Sequence, residues 1–238
     1  MLSLQGKRVL VVDDDLDTRN LLAREFSRAG AEVYSAANGN EALREFHLHQ
    51  PDLVVLDVIM PGLTGWDTAA LLKPFGEVPI IFLSGLTGTE EVVRGLELGA
   101  YDFVTKPFSV RVLLMKAQAA LRYAGPAPAN GRPAVYDDGY LTINLAERQV
   151  LVKGRPVDLT ATDFRLLELL VQNKGRVLTY DQILEKIWGW EYRDCTQYVH
   201  VYISRLRRVL ETDSRSPKYI TTERGVGYCF KGHATRVP

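Results

Sequence analysis

Cysteine is nearly absent from this chain of 238 residues: only Cys195 and Cys229 occur, too few for a disulfide framework and without metal-ligand spacing. A reducing compartment fits. Long hydrophobic runs are missing too. The opening MLSLQGKRVLVVDDDLD has one short apolar stretch interrupted by acids, and no later segment approaches the roughly 18 uncharged apolar residues of a membrane span. The chain is therefore expected to be soluble and cytoplasmic, with no membrane partner. Net charge is also lacking, with 29 Lys/Arg against 29 Asp/Glu, but the balance is uneven along the chain. Residues 1–124 carry 12 basic and 16 acidic side chains, residues 125–238 carry 17 and 13, and residues 196–238 alone carry 8 and 3. Positive charge concentrated near the C-terminus could meet a polyanion, although a solvated basic face gives the same bias. Apolar material is ample at 46% hydrophobic residues, and this length suits two domains of about 110 residues.

In the first half, short apolar runs alternate with amphipathic stretches. Val9–Val12, Val33–Ser35, Leu53–Leu56, Pro79–Leu83 and Phe103–Thr105 read as buried strands. Leu21, Leu22, Phe26 and Ala29 mark a first helix, Ala42, Leu43 and Phe46 a second, and Leu113, Ala117, Ala120 and Leu121 a last. Five βα units imply an α/β fold, a doubly wound parallel sheet covered on both faces. The stretch AGPAPANGRP, residues 124–133, reads as a flexible linker. Beyond it, strands are expected at Leu141–Asn144, Gln149–Val152 and Pro156–Leu159. Capping boxes at Thr160-x-x-Asp163 and Thr179-x-x-Gln182 open two helices, Asp194 or Thr196 caps a third, and Tyr219–Thr222 with Gly227–Phe230 form a hairpin around Arg224-Gly225. This second half is an α+β domain.

Ligands of such sheets bind beyond the carboxyl ends of the strands. There stand Asp13, Asp14 and Asp15 after the first strand, Asp57 after the third, Ser84 after the fourth and Lys106 after the fifth. Clustered carboxylates repel unless a cation neutralises them, and an oxygen-rich site suits hydrated Mg²⁺. One carboxylate could then act as a nucleophile toward phosphorus, with a hydroxyl and an ammonium holding the phosphoryl oxygens. Each signal alone also describes a solvated loop or a turn; their joint placement at four strand ends carries the reading.

The motifs VVDDD, LDVIMPG, FLSG and TKPF, in this order and spacing, resemble the receiver domain of bacterial response regulators over residues 6–123. The resemblance implies a CheY-like (βα)5 fold in which Asp57 accepts phosphate from a sensor histidine kinase. Asp13, Asp14, Asp57 and the main-chain carbonyl of Ile59 would hold Mg²⁺ (or Mn²⁺), and Ser84 and Lys106 would contact the phosphoryl group. Phe103 would be the aromatic switch that turns inward, rearranging the surface of the fourth helix, fifth strand and fifth helix. This sequence departs from the pattern in places. Ser84 stands where Thr is commoner, and Ile59 and Leu86 are bulky at positions that control water access, which implies slow self-dephosphorylation. On the dimer face Val92 and Val112 replace a basic and an acidic residue that commonly pair, and Tyr101 replaces Asp, while Asp102 and Lys116 remain as an ion pair. Such a face implies a more apolar homodimer, less dependent on salt; ordinary packing of the two valines is the competing reading.

In the second half Val199, Ile203, Leu206 and Leu210 form an apolar stripe on the third helix, and Gln197, Val201, Ser204 and Arg208 project opposite, flanked by Arg205. Arginine, amide and small apolar side chains can read base edges. LTATDFRLLELL, RVLTYDQILEKIWG, VHVYISRLRRVL and YITTERGVGYCF resemble the winged helix-turn-helix DNA-binding domain of the OmpR/PhoB family, expected over residues 134–232. The resemblance implies that the helix from Thr196 enters the major groove of promoter DNA and that Arg224 on the wing reaches the minor groove. Thr222, Arg207 and Arg208 would contact phosphates, and the loop Gly189–Cys195 would meet RNA polymerase. Here His200 replaces a common Asp, Tyr198 a smaller residue and Gln197 a common Arg, so base preference should be this chain's own.

Three functions compete: a transcription regulator switched by phosphorylation of Asp57, a metal-dependent phosphohydrolase, and a receiver-like protein that dimerises and binds DNA without phosphate. A hydrolase needs a second catalytic acid and a substrate cap, and winged-helix pattern fills the space for one. The complete set of Asp13, Asp14, Asp57, Ser84 and Lys106 favours the first reading over the third, with no enzymatic action on outside substrates.

Overall fold

The computed structural model describes residues 3–76, 78–85, 88–124 and 135–232, and its contacts divide the chain between residues 125 and 126. Leu86 and all but the first residue of the expected linker lie outside the described residues. In the first unit, strands β1 (Arg8–Val12), β2 (Glu32–Ala36), β3 (Leu53–Asp57), β4 (Ile80–Ser84) and β5 (Asp102–Thr105) alternate with helices. The helices are α1 (Leu16–Arg28), α2 (Gly39–His49), α3 (Gly65–Leu72), α4 (Thr89–Glu97) and α5 (Val110–Ala124). The strands run parallel in the order β2-β1-β3-β4-β5. Leu53 to Leu56 and Ile81 to Leu83 are fully buried, because helices cover both faces and leave no polar side to alternate with.

Helices α1, α2 and α3 begin where the sequence offers a capping group. Asp15 accepts from the Thr18 N–H, Asn38 from Glu41, and Thr64 and Asp67 form a capping box on α3. Of the residues that mark α1, Leu22 and Phe26 are buried, whereas Leu21 is 37% exposed. Periodicity names no residues for α3, whose sequence GWDTAALL is apolar on most sides and buries Trp66, Ala69 and Leu72, so no single stripe stands out.

The second unit opens with an antiparallel sheet in the order β6 (Val135–Asp137), β7 (Leu141–Asn144), β8 (Gln149–Val152), β9 (Arg155–Pro156). The strand expected at Pro156–Leu159 is reduced to Arg155–Pro156, followed by one further bond from the Val157 N–H to the Val150 carbonyl at 3.0 Å. Helices α6 (Ala161–Gln172), α7 (Tyr180–Ile187) and α8 (Thr196–Leu210) follow, interleaved with a second sheet. That sheet has the order β10 (Val177–Thr179), β12 (Gly227–Phe230), β11 (Ile220–Glu223). Both expected capping boxes form, Thr160 with Asp163 and Thr179 with Gln182. The cap of α8 differs: Cys195 occupies the position and no side chain caps the helix. A single 3-10 turn, Trp190–Tyr192, leads into it, with the Cys195 N–H on the Tyr192 carbonyl at 2.8 Å. Val199, Ile203, Leu206 and Leu210 are buried as the periodicity requires, and Trp188 packs beneath Tyr198 and Tyr202. Among the described residues, no helix is long and apolar enough to cross a membrane.

Candidate functional site

The order of the first sheet reverses direction between β1 and β3, so the loops after these strands diverge to opposite faces and leave a crevice at their carboxyl ends. Asp13 follows β1, Asp57 ends β3, and both are buried. Lys106, just after β5, reaches across to them, its Nζ lying 2.7 Å from Asp13 Oδ2 and 2.6 Å from Asp57 Oδ2. Burial opposes the charge on Lys106, but hydrogen bonds to Asp13 and Asp57 outweigh it and hold the ammonium above its usual range. Asp57 goes the other way. Burial pushes its carboxyl up, and the bonds from Lys106 and the Ile59 N–H offset this in part.

Asp14 is exposed, yet it offers an oxygen that lies with those of Asp13 and Asp57 within 4.8 Å of one another. Three oxygen donors and no nitrogen or sulfur suit a hard divalent cation. The backbone around the site is tightly fixed. Asp15 N–H donates to Asp13 Oδ1 at 3.0 Å, and Arg19 Nη1 donates to the Asp13 carbonyl at 2.6 Å. Gly65 packs directly on β3, where an added methyl would lie 2.1 Å from the Asp57 carbonyl oxygen. Neither Arg19 nor Gly65 was singled out in the sequence; Gly65 shows there only as part of a turn-rich PGLTG segment.

Ser84 ends β4 fully buried, one residue beyond Leu83, the register partner of Asp57, and its carbonyl accepts from the Lys106 N–H at 2.6 Å. Ile59 is 55% exposed at the rim. Phe103 is buried, stacked 6.2 Å from Trp66, which meets Phe82 edge-on at 4.4 Å.

The expected dimer-face residues are not all on a face. Tyr101, just before β5, is 4% exposed and Asp102, its first residue, 0%, so both are interior rather than on a surface. Asp102 and Lys116 do pair, at 2.7 Å, and the Asp102 carboxylate also accepts from the Phe103 N–H. This ties β5 to α5 within one chain. Val92 packs against the chain's own core, leaving Val112, 45% exposed, as the apolar side chain of that set open to a partner.

In the second unit, α8 turns a different face outward from the one its pattern suggests. Val201, expected beside Gln197, Ser204 and Arg208, is buried, while His200, Ser204 and Arg208 are exposed and Gln197 half-buried. The burying stripe is wider than four residues, because Tyr198 and Tyr202 also turn inward. Arg205 is not free to read bases either: its Nη2 lies 2.6 Å from the buried Asp163 carboxylate. Arg207 donates through Nε and Nη2 to the Ile220 carbonyl at 2.9 and 2.6 Å, and through Nη2 to Thr222 Oγ1 at 2.7 Å. Glu211 at the end of α8 accepts from the N–H groups of Lys218, Tyr219 and Ile220. The two side chains together fasten β11 to α8. Thr222 and Arg224 are exposed toward the tip of the β11–β12 hairpin.

Comparison with known proteins gives two domain matches. A family model described as a response regulator receiver domain matches residues 9–118, and one described as transcriptional regulatory protein, C terminal, matches residues 154–230. The probable transcriptional regulator ycf27 of Cyanophora paradoxa is 40% identical over 237 residues, covering 97% of this chain and 98% of its own. The transcriptional regulatory protein KdpE of Mycobacterium tuberculosis is 36% identical and covers 94% and 98%. The crystal structure of DrrB, a Thermotoga maritima OmpR/PhoB homologue, is 32% identical, covers 95% of this chain and 99% of that one, and has a TM-score of 0.50.

Proposed function

The chain belongs to the OmpR/PhoB family of two-component response regulators, and from that membership we propose that phosphoryl transfer from a sensor histidine kinase to Asp57 controls its dimerisation and promoter binding. The observation that carries this is the contact of one ammonium, Lys106, with two buried carboxylates, Asp13 and Asp57, at three strand ends. Asp13, Asp14, Asp57 and the Ile59 carbonyl would hold Mg²⁺ (or Mn²⁺). When bound, the cation supplies positive charge for the phosphoryl oxygens. An Asp57 oxygen attacks phosphorus, the P–O bond forms as the P–N bond to the kinase histidine breaks, and the electron pair leaves with the imidazole. Lys106 and Ser84 stabilise the equatorial oxygens. The site promotes only its own phosphorylation and dephosphorylation.

Promoter DNA meets α8 through Gln197, His200, Ser204 and Arg208, with Thr222 and Arg224 of the wing beside them and Arg207 holding the wing in place. RNA polymerase meets the Gly189–Cys195 loop. Phosphorylation favours a homodimer through the surface of α4, β5 and α5, where Val112 gives an apolar contact of low salt dependence. Beryllofluoride or acetyl phosphate with Mg²⁺ should raise both the sedimentation coefficient and the affinity for a footprinted promoter fragment, and Asp57→Asn should abolish both responses. Unchanged oligomer and affinity in the wild type would replace this reading with the phosphate-independent regulator.

A further inference from the structure

The exposed side of α8 contains one ring that the rest of the domain holds in place. Gln197, His200, Ser204 and Arg208 recur at steps of three, four and four, one face of a helix. His200 Nδ1 lies 2.8 Å from the hydroxyl of Tyr228 on β12. The rings of Tyr180 and Tyr228 stand edge-on to the imidazole, with centroids at 5.2 and 6.1 Å. Tyr228 itself is buried. A helix residue is thus oriented by the wing strand, in a position where the family pattern more often has a carboxylate.

The direction of that hydrogen bond decides what the ring can offer DNA. Among the described residues, His200 is the hydrogen-bond partner of the Tyr228 hydroxyl. Were Nδ1 protonated, it would donate to the phenol oxygen and the buried O–H would need a further acceptor. With the O–H donating to Nδ1, which leaves no phenol proton without an acceptor in the protein, the ring N–H resides on Nε2, the nitrogen not engaged by the wing; the opposite tautomer would reverse both roles.

We propose that His200 is a specificity-determining residue that donates from Nε2 to a guanine in the major groove, with Tyr228 as the positioning residue that sets its tautomer. Guanine presents N7 and O6 as adjacent acceptors, thymine has the single acceptor O4 beside its methyl group, adenine sets a donor beside its N7, and cytosine presents a donor. A carboxylate at the same place accepts and so suits cytosine. The exchange of Asp for His inverts the preferred orientation of one G·C pair. This step rests on α8 being the groove-entering helix.

The test uses the full chain on a footprinted site with each base pair varied singly. Wild type should lose about fivefold to tenfold at one G·C pair, the lower part of the range for a base contact, and 7-deazaguanine there should reproduce part of the loss. His200→Ala should remove the discrimination at that pair alone, His200→Asp should shift it toward cytosine, and Tyr228→Phe should weaken it while other positions keep their rank. Long-range ¹H–¹⁵N correlation of the histidine rings, assigned with His200→Gln, should show His200 as the Nε2–H tautomer, and as a mixture in Tyr228→Phe. A uniform loss across all base variants in His200→Ala, or an Nδ1–H tautomer, overturns the proposal. If Arg208→Ala and His200→Ala both leave affinity untouched, the placement of α8 itself is wrong. An effect of Arg208→Ala with a silent His200 removes only the present inference.

Discussion

Replacing Lys106 by Met should give a protein whose receiver depends on a divalent cation for its stability. The ammonium neutralises two carboxylates whose side chains are 0% and 6% exposed. Without it, oxygens of Asp13 and Asp57 within 4.8 Å repel by about 3.5 kcal/mol or more at an effective dielectric constant near 20. Protonating one of them is the escape. Starting from an ordinary aspartate, that costs about 4 kcal/mol at pH 7, and less for Asp57, whose carboxyl burial already pushes up. The smaller of the two costs sets the outcome, so the variant should lose about 3 kcal/mol, while Met keeps the packing of the aliphatic stem. For a unit of this size that lowers the melting temperature by roughly 12 °C. Calorimetry of the full chain in EDTA should show the drop in one transition, and millimolar Mg²⁺ should recover more in the variant than in wild type. A drop under about 4 °C in EDTA, or equal gains from Mg²⁺, would refute the charge-balance argument.

The other predictions concern separate parts of the molecule. Gly65→Ala places a methyl against the Asp57 carbonyl, backbone that cannot swing aside, so labelling of Asp57 by acetyl phosphate should slow tenfold or more; a wild-type rate would show that β3 can shift freely. Arg224→Ala should weaken promoter binding by about 1–3 kcal/mol, and unchanged affinity removes Arg224 from the interface. Burial alone would raise the Asp138 carboxyl, but bonds from the Leu141 N–H, the Tyr136 and Tyr219 hydroxyls and the Tyr140 N–H hold it below the usual range. A depressed carboxyl stabilises the fold above about pH 4 and loses that contribution as pH falls through its lowered value. Acid unfolding of the second unit should therefore be less steep in Asp138→Asn, and parallel acid limbs would sink the assignment. With Ile59 at the rim of the site, phosphorylated protein in Mg²⁺ buffer should outlast seconds by a wide margin; a half-life of seconds is the contrary result.

Strand positions in the first unit were legible because a parallel sheet covered on both faces writes itself as continuous apolar runs, and every expected strand overlaps the observed one. The strand ends then located Asp13, Asp57, Ser84 and Lys106 without reference to helices. What failed was the assignment of faces. Tyr101 and Asp102 read as surface residues by alignment with a motif, but β5 lies at a sheet edge overlain by α4 and α5, and a paired carboxylate can be buried where a lone one cannot. Val201 failed for a related reason. A wheel drawn from Val199, Ile203, Leu206 and Leu210 assumes a narrow stripe, whereas tyrosines at 198 and 202 widen the buried arc until it includes 201. Long-range ties such as Arg207 to Ile220, Glu211 to Tyr219 and His200 to Tyr228 leave no periodic trace, because their partners are set by the return of β11 and β12 against α8.

Long-range ties within the first unit bear on how a change at the Asp57 site could spread. Strand β5 is fastened to α5 by the bond from Lys116 to the buried Asp102, and breaking it strands the Asp102 charge in the interior. Against α4 the contact is of another kind. Gly95 sits so close to β5 that an added methyl would lie 3.2 Å from the Phe103 ring and 3.3 Å from Phe82 and Trp66, and the Arg94 guanidinium lies 5.3 Å from the Trp66 ring. Packed rings exchange one arrangement for another at a smaller cost than a buried charge pays on losing its partner. A displacement begun at Ser84 and Lys106 therefore meets less resistance at the α4 side of β5 than at the α5 side. The valine at 92 belongs to the element that can yield, and the valine at 112 to the one that is held.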